Sequence, residues 1–232
     1  MSAAGLRTYV VPTAVGPVRF HAERPDPDVL LLHGFKRSAA HLAAWRAHLP
    51  GAAFIDLPGH GGAPEVAEVS LRSWIEGVRE ITARLPRPPV LIGESLGALV
   101  ALSIPSRAVV AIEPPLSTDQ LWPLRRTLAA ARARGVQIGP EYEAIFAEPF
   151  HWVLANISAP TLLIAGDVPL LPERPVFPEP SLLTEEDLAA YDAHPLVQVE
   201  QIAGGHNLTD NNFPGLLATA LPFLKAHGVA VA

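Results

Sequence analysis

The sequence predicts an α/β protein, a mostly parallel central sheet with helices on both faces, on three observations. Short apolar runs alternate with amphipathic ones along the chain, the pattern of buried parallel strands joined by crossover helices. The run Val90-Leu91-Ile92 passes through Gly93-Glu94-Ser95-Leu96-Gly97 into the helix-compatible Ala98-Leu99-Val100-Ala101-Leu102, which reads as a serine held on a tight strand-to-helix turn. Finally, 232 residues, 49% hydrophobic and 17% charged, are enough for one sizeable core.

Taken in order, residues 8–11 and 18–21 read as an opening hairpin, and 29–33, 52–56, 90–93, 109–113, 161–166 and 196–202 as the remaining strands. Between them, 70–85 predicts a helix that Ser70 caps, with Leu71, Trp74, Ile75, Val78, Ile81 and Leu85 on one apolar stripe. The interval from Glu113 to Thr161 exceeds what a single crossover helix needs, so an insertion is expected. Ser117 or Thr118 would cap a helix running to about Arg134, with Pro123 tolerated in its first turn and Gly135 as its stop; a second helix is expected over 141–155. The chain thus divides into a core of residues 1–113 and 157–232 and a short helical cap of 114–156.

Proline accounts for 25 of the 232 residues, about twice its ordinary share of roughly 5%. Most prolines end apolar runs, but Pro169, Pro172, Pro175, Pro178 and Pro180 recur almost every third residue. That spacing favours an extended, rigid loop.

Composition also excludes. No apolar stretch approaches the roughly 20 residues that span a membrane, no basic segment followed by an apolar core opens the chain, and there are no cysteines to form disulfides or thiolate metal sites. A cytoplasmic protein without a membrane partner is expected. The net charge of −6 argues against nucleic-acid binding, which wants a basic face, and favours a small-molecule substrate. There is neither a Walker-type phosphate loop nor a His-Glu-x-x-His motif, so no cofactor and no metal are expected. Oligomeric state is not legible.

In open parallel sheets, ligands sit beyond the carboxyl ends of the strands. Ser95, Asp167 and His206 each follow a predicted strand, in the chain order serine, acid, histidine. A serine hydroxyl becomes a useful nucleophile when an imidazole takes its proton, and a carboxylate holds that imidazole in the working tautomer. Serine, histidine and acid are all therefore needed.

Four segments carry a resemblance: Leu31-Leu32-His33-Gly34-Phe35, Asp56-Leu57-Pro58-Gly59-His60-Gly61, Gly93-Glu94-Ser95-Leu96-Gly97 and Gly204-Gly205-His206, with weaker support from Ala159-Pro160-Thr161-Leu162-Leu163-Ile164-Ala165-Gly166-Asp167. On these the chain resembles the α/β-hydrolases. The resemblance implies Ser95 as nucleophile, His206 as base, and the backbone N–H groups of Phe35 and Leu96 as the oxyanion hole. It further implies a serine hydrolase acting on a carboxylic ester, thioester or lactone. The alternatives are a lyase or C–C bond hydrolase using the same residues as a base, and an inactive ligand-binding homologue. His33 and His60 fall in segments that shape loops in this family and are assigned structural roles.

The acid departs from the family's pattern. Relatives place it about three residues after the glycine that ends its strand, where this chain has Pro169; Asp167 comes one residue after Gly166. Asp167 is the first assignment. Glu113, at the end of the preceding strand, is the alternative acid, and Glu173 and Asp187 are more distant ones.

Overall fold

Among the described residues, eight segments form strands β1 (Arg7–Val11), β2 (Val18–Ala22), β3 (Val29–Leu32), β4 (Ala53–Asp56), β5 (Val90–Glu94), β6 (Ala108–Ile112), β7 (Thr161–Gly166) and β8 (Val197–Ile202). The computed structural model describes residues 6–64, 70–118, 121–136, 145–146 and 149–232. One sheet of order β1-β2-β4-β3-β5-β6-β7-β8 results. β2 runs antiparallel to both β1 and β4, and every pairing beyond is parallel. From β3 the chain turns to β4 on one side and then crosses to β5 on the other, which opens a crevice at the carboxyl ends of β3 and β5.

Side-chain alternation along the strands divides the core into two layers. Leu30, Leu32, Leu91, Val109, Ala111 and Leu163 face one layer; Leu31, Ile92, Val110, Ile112, Leu162 and Ile164 face the other. The first layer is covered by α1 (Leu71–Thr82), which Ser70 caps by accepting the Ser73 N–H, and by α2 (Leu96–Leu102), buried along its whole length. Trp74 and Val78 of α1 are fully enclosed, and each such side chain contributes about 2 kcal/mol. The second layer is covered by a 3-10 helix over Ala39–Ala47 and the C-terminal helix, Phe213–Ala226.

The stretch expected to form the cap differs in detail from expectation. Its helix, α3, spans Trp122–Ala133, begins after Leu121 and has Pro123 in its first turn. Ser117 does not cap it, because the Ser117 hydroxyl donates to the buried Asp187 carboxylate at 2.6 Å. Gly135 follows the helix at φ +76 and stops it as expected. The helix expected over 141–155 falls partly outside the described residues; of the rest, His151–Asn156 is a 3-10 helix. A short helix not anticipated, α4 (Glu185–Asp192), is capped by Thr184.

Among the described residues no helix is long and apolar enough to cross a membrane.

Candidate active site

Ser95 lies between β5 and α2 at φ 53 and ψ −123, a conformation costing a non-glycine residue about 1–3 kcal/mol. The flanking glycines are required by close backbone approach. A Cβ at Gly93 would lie 2.4 Å from the Gly97 carbonyl oxygen, and one at Gly97 would lie 2.4 Å from that of His33. The elbow therefore locks on itself and on the end of β3, which turns the Ser95 hydroxyl into the crevice.

His206 arrives there from the loop after β8. Its Nε2 lies 3.1 Å from Ser95 Oγ, and its Nδ1 lies 3.1 Å from Glu113 Oε2. An ionised carboxylate only accepts, so Nδ1 carries the proton and Nε2 is left to accept the Ser95 O–H. The expected acid, Asp167, is corrected by this geometry. Its exposed carboxylate instead accepts the Gly204 N–H at 3.0 Å. Glu113 wins because β6 ends one residue earlier than expected: at φ 54 the chain turns out of the sheet just past Ile112, and the side chain is fully buried beside His206. Glu173 pairs with Arg126 on the surface, and Asp187 accepts the N–H groups of Leu116, Ser117 and Thr184.

Four donors surround the Glu113 carboxylate. Oε1 accepts from Gly166 N–H at 2.7 Å and Ser181 Oγ at 2.8 Å; Oε2 accepts from Leu182 N–H at 2.9 Å as well as from His206. Two of these come from the end of the proline-rich segment, which also receives the His206 N–H on the Pro180 carbonyl at 3.1 Å. Sequence reasoning missed Ser181 and Leu182. The periodic prolines pointed to a rigid segment, but nothing local said what it touches.

On the opposite wall, Gly34 packs on the serine: a Cβ there would sit 3.1 Å from Ser95 Cβ. Phe35 follows and lines the site, while Leu96 is the first residue of α2, where backbone N–H groups have no partner within the helix. His33 fixes this turn. Its Nε2 accepts the Leu57 N–H at 3.1 Å, which leaves Nδ1 to donate to the Gly34 carbonyl at 2.7 Å. Burial holds its pKa down to about 4. His60 is likewise lowered by burial and bonds Pro58.

The site opens into a cavity of about 240 Å³. Its lining combines the apolar Ile112, Pro115, Leu121, Leu124, Phe146 and Leu182 with the polar Lys36, Arg37, Glu94, Glu179, Asn207 and Thr209. Burial raises the Glu94 pKa, and Thr209 donates its hydroxyl to that carboxyl. Arg37 bonds Asn207 and Asp210 at 2.6 and 2.7 Å.

A mostly parallel sheet with an elbow serine, a bonded histidine and a buried glutamate at its carboxyl edge defines an α/β-hydrolase fold. The chain belongs to the alpha/beta hydrolase family, whose model matches residues 29–224. It is 31% identical over 134 residues to a pimeloyl-[acyl-carrier protein] methyl ester esterase of Chromobacterium violaceum, covering 50% of this chain and 49% of that protein. It is 36% identical over 112 residues to the enzyme of the same name from Aeromonas hydrophila, covering 42% of each. The chain thus spans half or less of the length of these curated relatives. The solved structure of a thermophilic esterase superposes with a TM-score of 0.68 at 20% identity, covering 97% of this chain and 100% of that one.

Proposed function

We propose that this chain is a serine hydrolase that cleaves a carboxylic ester, thioester or lactone through an acyl-enzyme on Ser95. The observation that carries the reading is the continuous hydrogen-bonded series from buried Glu113 through His206 to Ser95 Oγ, which lines the cavity. His206 Nε2 takes the serine proton as Oγ attacks the carbonyl carbon, then returns it to the leaving alcohol or thiol. Water, deprotonated by the same nitrogen, releases the acid. Glu113 holds the ring in the Nδ1–H tautomer and stabilises the imidazolium that forms. The N–H groups of Phe35 and Leu96 receive the developing oxyanion, and loss of one such donor costs about 3 kcal/mol of transition-state stabilisation.

The substrate reading joins the curated relatives' names to the cavity. Leu121, Leu124 and Phe146 suit an aliphatic acyl chain, and the limited volume suits a small leaving group such as methanol. A lyase gripping an anionic substrate just past the elbow has less support, since Ala98 and Leu99 there are fully buried and carry no charge. A fluorophosphonate probe is expected to label wild type and not Ser95→Ala, and a chain-length panel of methyl and thioesters to show Ser95-dependent turnover. Absence of labelling in the folded wild-type protein would sink the proposal.

A further inference from the structure

The Glu113 carboxylate has more support than its place at the end of β6 supplies. Gly166 belongs to the neighbouring strand, but the other donors besides His206 come from the proline-rich segment. Ser181 is 3% exposed. Its own N–H is tied to the Val168 carbonyl at 2.8 Å, and its Oγ accepts the Leu183 N–H at 3.1 Å. With that acceptor side occupied, its one proton is aimed at Glu113 Oε1, 2.8 Å away. Pro180, immediately before it, holds the backbone of His206, and Leu182, immediately after it, donates to Glu113 Oε2.

We propose that Ser181 is a positioning residue for the chemistry at Ser95: its hydroxyl sets the orientation and the charge distribution of the carboxylate that holds His206. This rests on the acyl-enzyme reading above. Each Glu113 oxygen receives two hydrogen bonds, so the carboxylate cannot rotate without breaking at least one. The Ser181 donor also draws negative charge toward Oε1. Without it, more charge falls on Oε2, which changes the strength and the geometry of the hydrogen bond from His206 Nδ1–H. Glu94, Glu179, Asp167, Asp210 and Arg37 also face the histidine and its loop. They are common to wild type and variant, so the change isolates the hydroxyl.

The test uses the full chain with Ser181→Ala, Ser181→Thr and Ser181→Cys, read by pH profiles on an activated ester and by the downfield proton resonance of His206 Nδ1–H. Ser181→Ala is expected to lower kcat about 10-fold with little change in KM. The pH profile of kcat/KM should differ from wild type, and the resonance should move. Ser181→Thr, which keeps the hydroxyl, restores the profile. Ser181→Cys keeps the volume with a weaker donor, moves the same way by less, and serves where the alanine variant does not fold. A folded Ser181→Ala or Ser181→Cys protein with the wild-type profile and an unmoved resonance overturns the proposal. The resonance needs no substrate, so it reports on Ser181 even where Ser95→Ala retains ester turnover and the acyl-enzyme reading itself fails.

Discussion

Asp167 accepts the backbone N–H of Gly204 at 3.0 Å, two residues before His206. The acid expected to touch the histidine instead fastens the loop that carries it, while Glu113 reaches the ring from one strand further in.

Exchanging these two acids for their amides therefore separates their roles. Glu113→Gln is expected to lower kcat on an activated ester by roughly 10³–10⁴-fold, because the amide no longer enforces the working tautomer. Asp167→Asn keeps an oxygen acceptor for Gly204 and is expected to stay within a few-fold of wild type. A dead Asp167→Asn beside an active Glu113→Gln would reverse the assignment.

Two glycine substitutions should differ sharply. Gly97→Ala places a methyl 2.4 Å from the His33 carbonyl oxygen in the floor of the elbow, and the backbone cannot yield without moving β3. A loss of about 3 kcal/mol or more is expected. Gly135→Ala meets nothing within 4 Å and is strained only by its φ of +76, at about 1 kcal/mol. Urea unfolding of both variants checks the contrast.

Stability should fall on mild acidification through His33. The unfolded chain takes up its proton near pH 6.5, whereas the folded protein resists until about 4. Between those values the unfolded state binds more protons, so the stabilisation is complete above 6.5 and is lost as the pH falls toward 4. The loss amounts to roughly 3 kcal/mol. Urea midpoints across this range would show it, and His33→Asn should flatten the slope; an unchanged slope in the variant would rule the attribution out.

Two side chains of α3, Trp122 and Arg126, hydrogen-bond to the proline-rich segment and should contribute unequally. Trp122 is buried and donates Nε1–H to the Leu170 carbonyl at 2.7 Å, so Trp122→Ala is expected to cost about 3–5 kcal/mol of local stability. It should also lower kcat/KM, since that segment leads to Ser181 and Leu182. The Arg126–Glu173 pair is about half exposed, and Arg126→Ala is expected to change stability by less than about 1 kcal/mol. Thermal unfolding and esterase rates on both variants distinguish them.

Much of the fold was legible because its signals are local. Apolar runs located all eight strands to within a residue or two, and Ser70 marked the start of α1. Ser117 misled: a hydroxyl before a helix normally caps it, but a distant carboxylate, Asp187, took the bond. Prolines between 169 and 180 announced a stiff segment, yet its target lay about 70 residues away in sequence, at Glu113.

By itself, then, the sequence determined the sheet, the elbow serine and the histidine after the last strand. Each depends on residue types adjacent in the chain: an apolar run, small residues around a tight turn, a loop following a strand. Only the tertiary structure decided which carboxylate meets His206. That choice turns on where β6 stops, on the positive φ of Glu113, and on donors delivered by Gly166, Ser181 and Leu182. A buried carboxylate is tolerated only where such donors converge. Convergence of segments about 50 to 70 residues apart leaves no trace in the spacing around Glu113 itself.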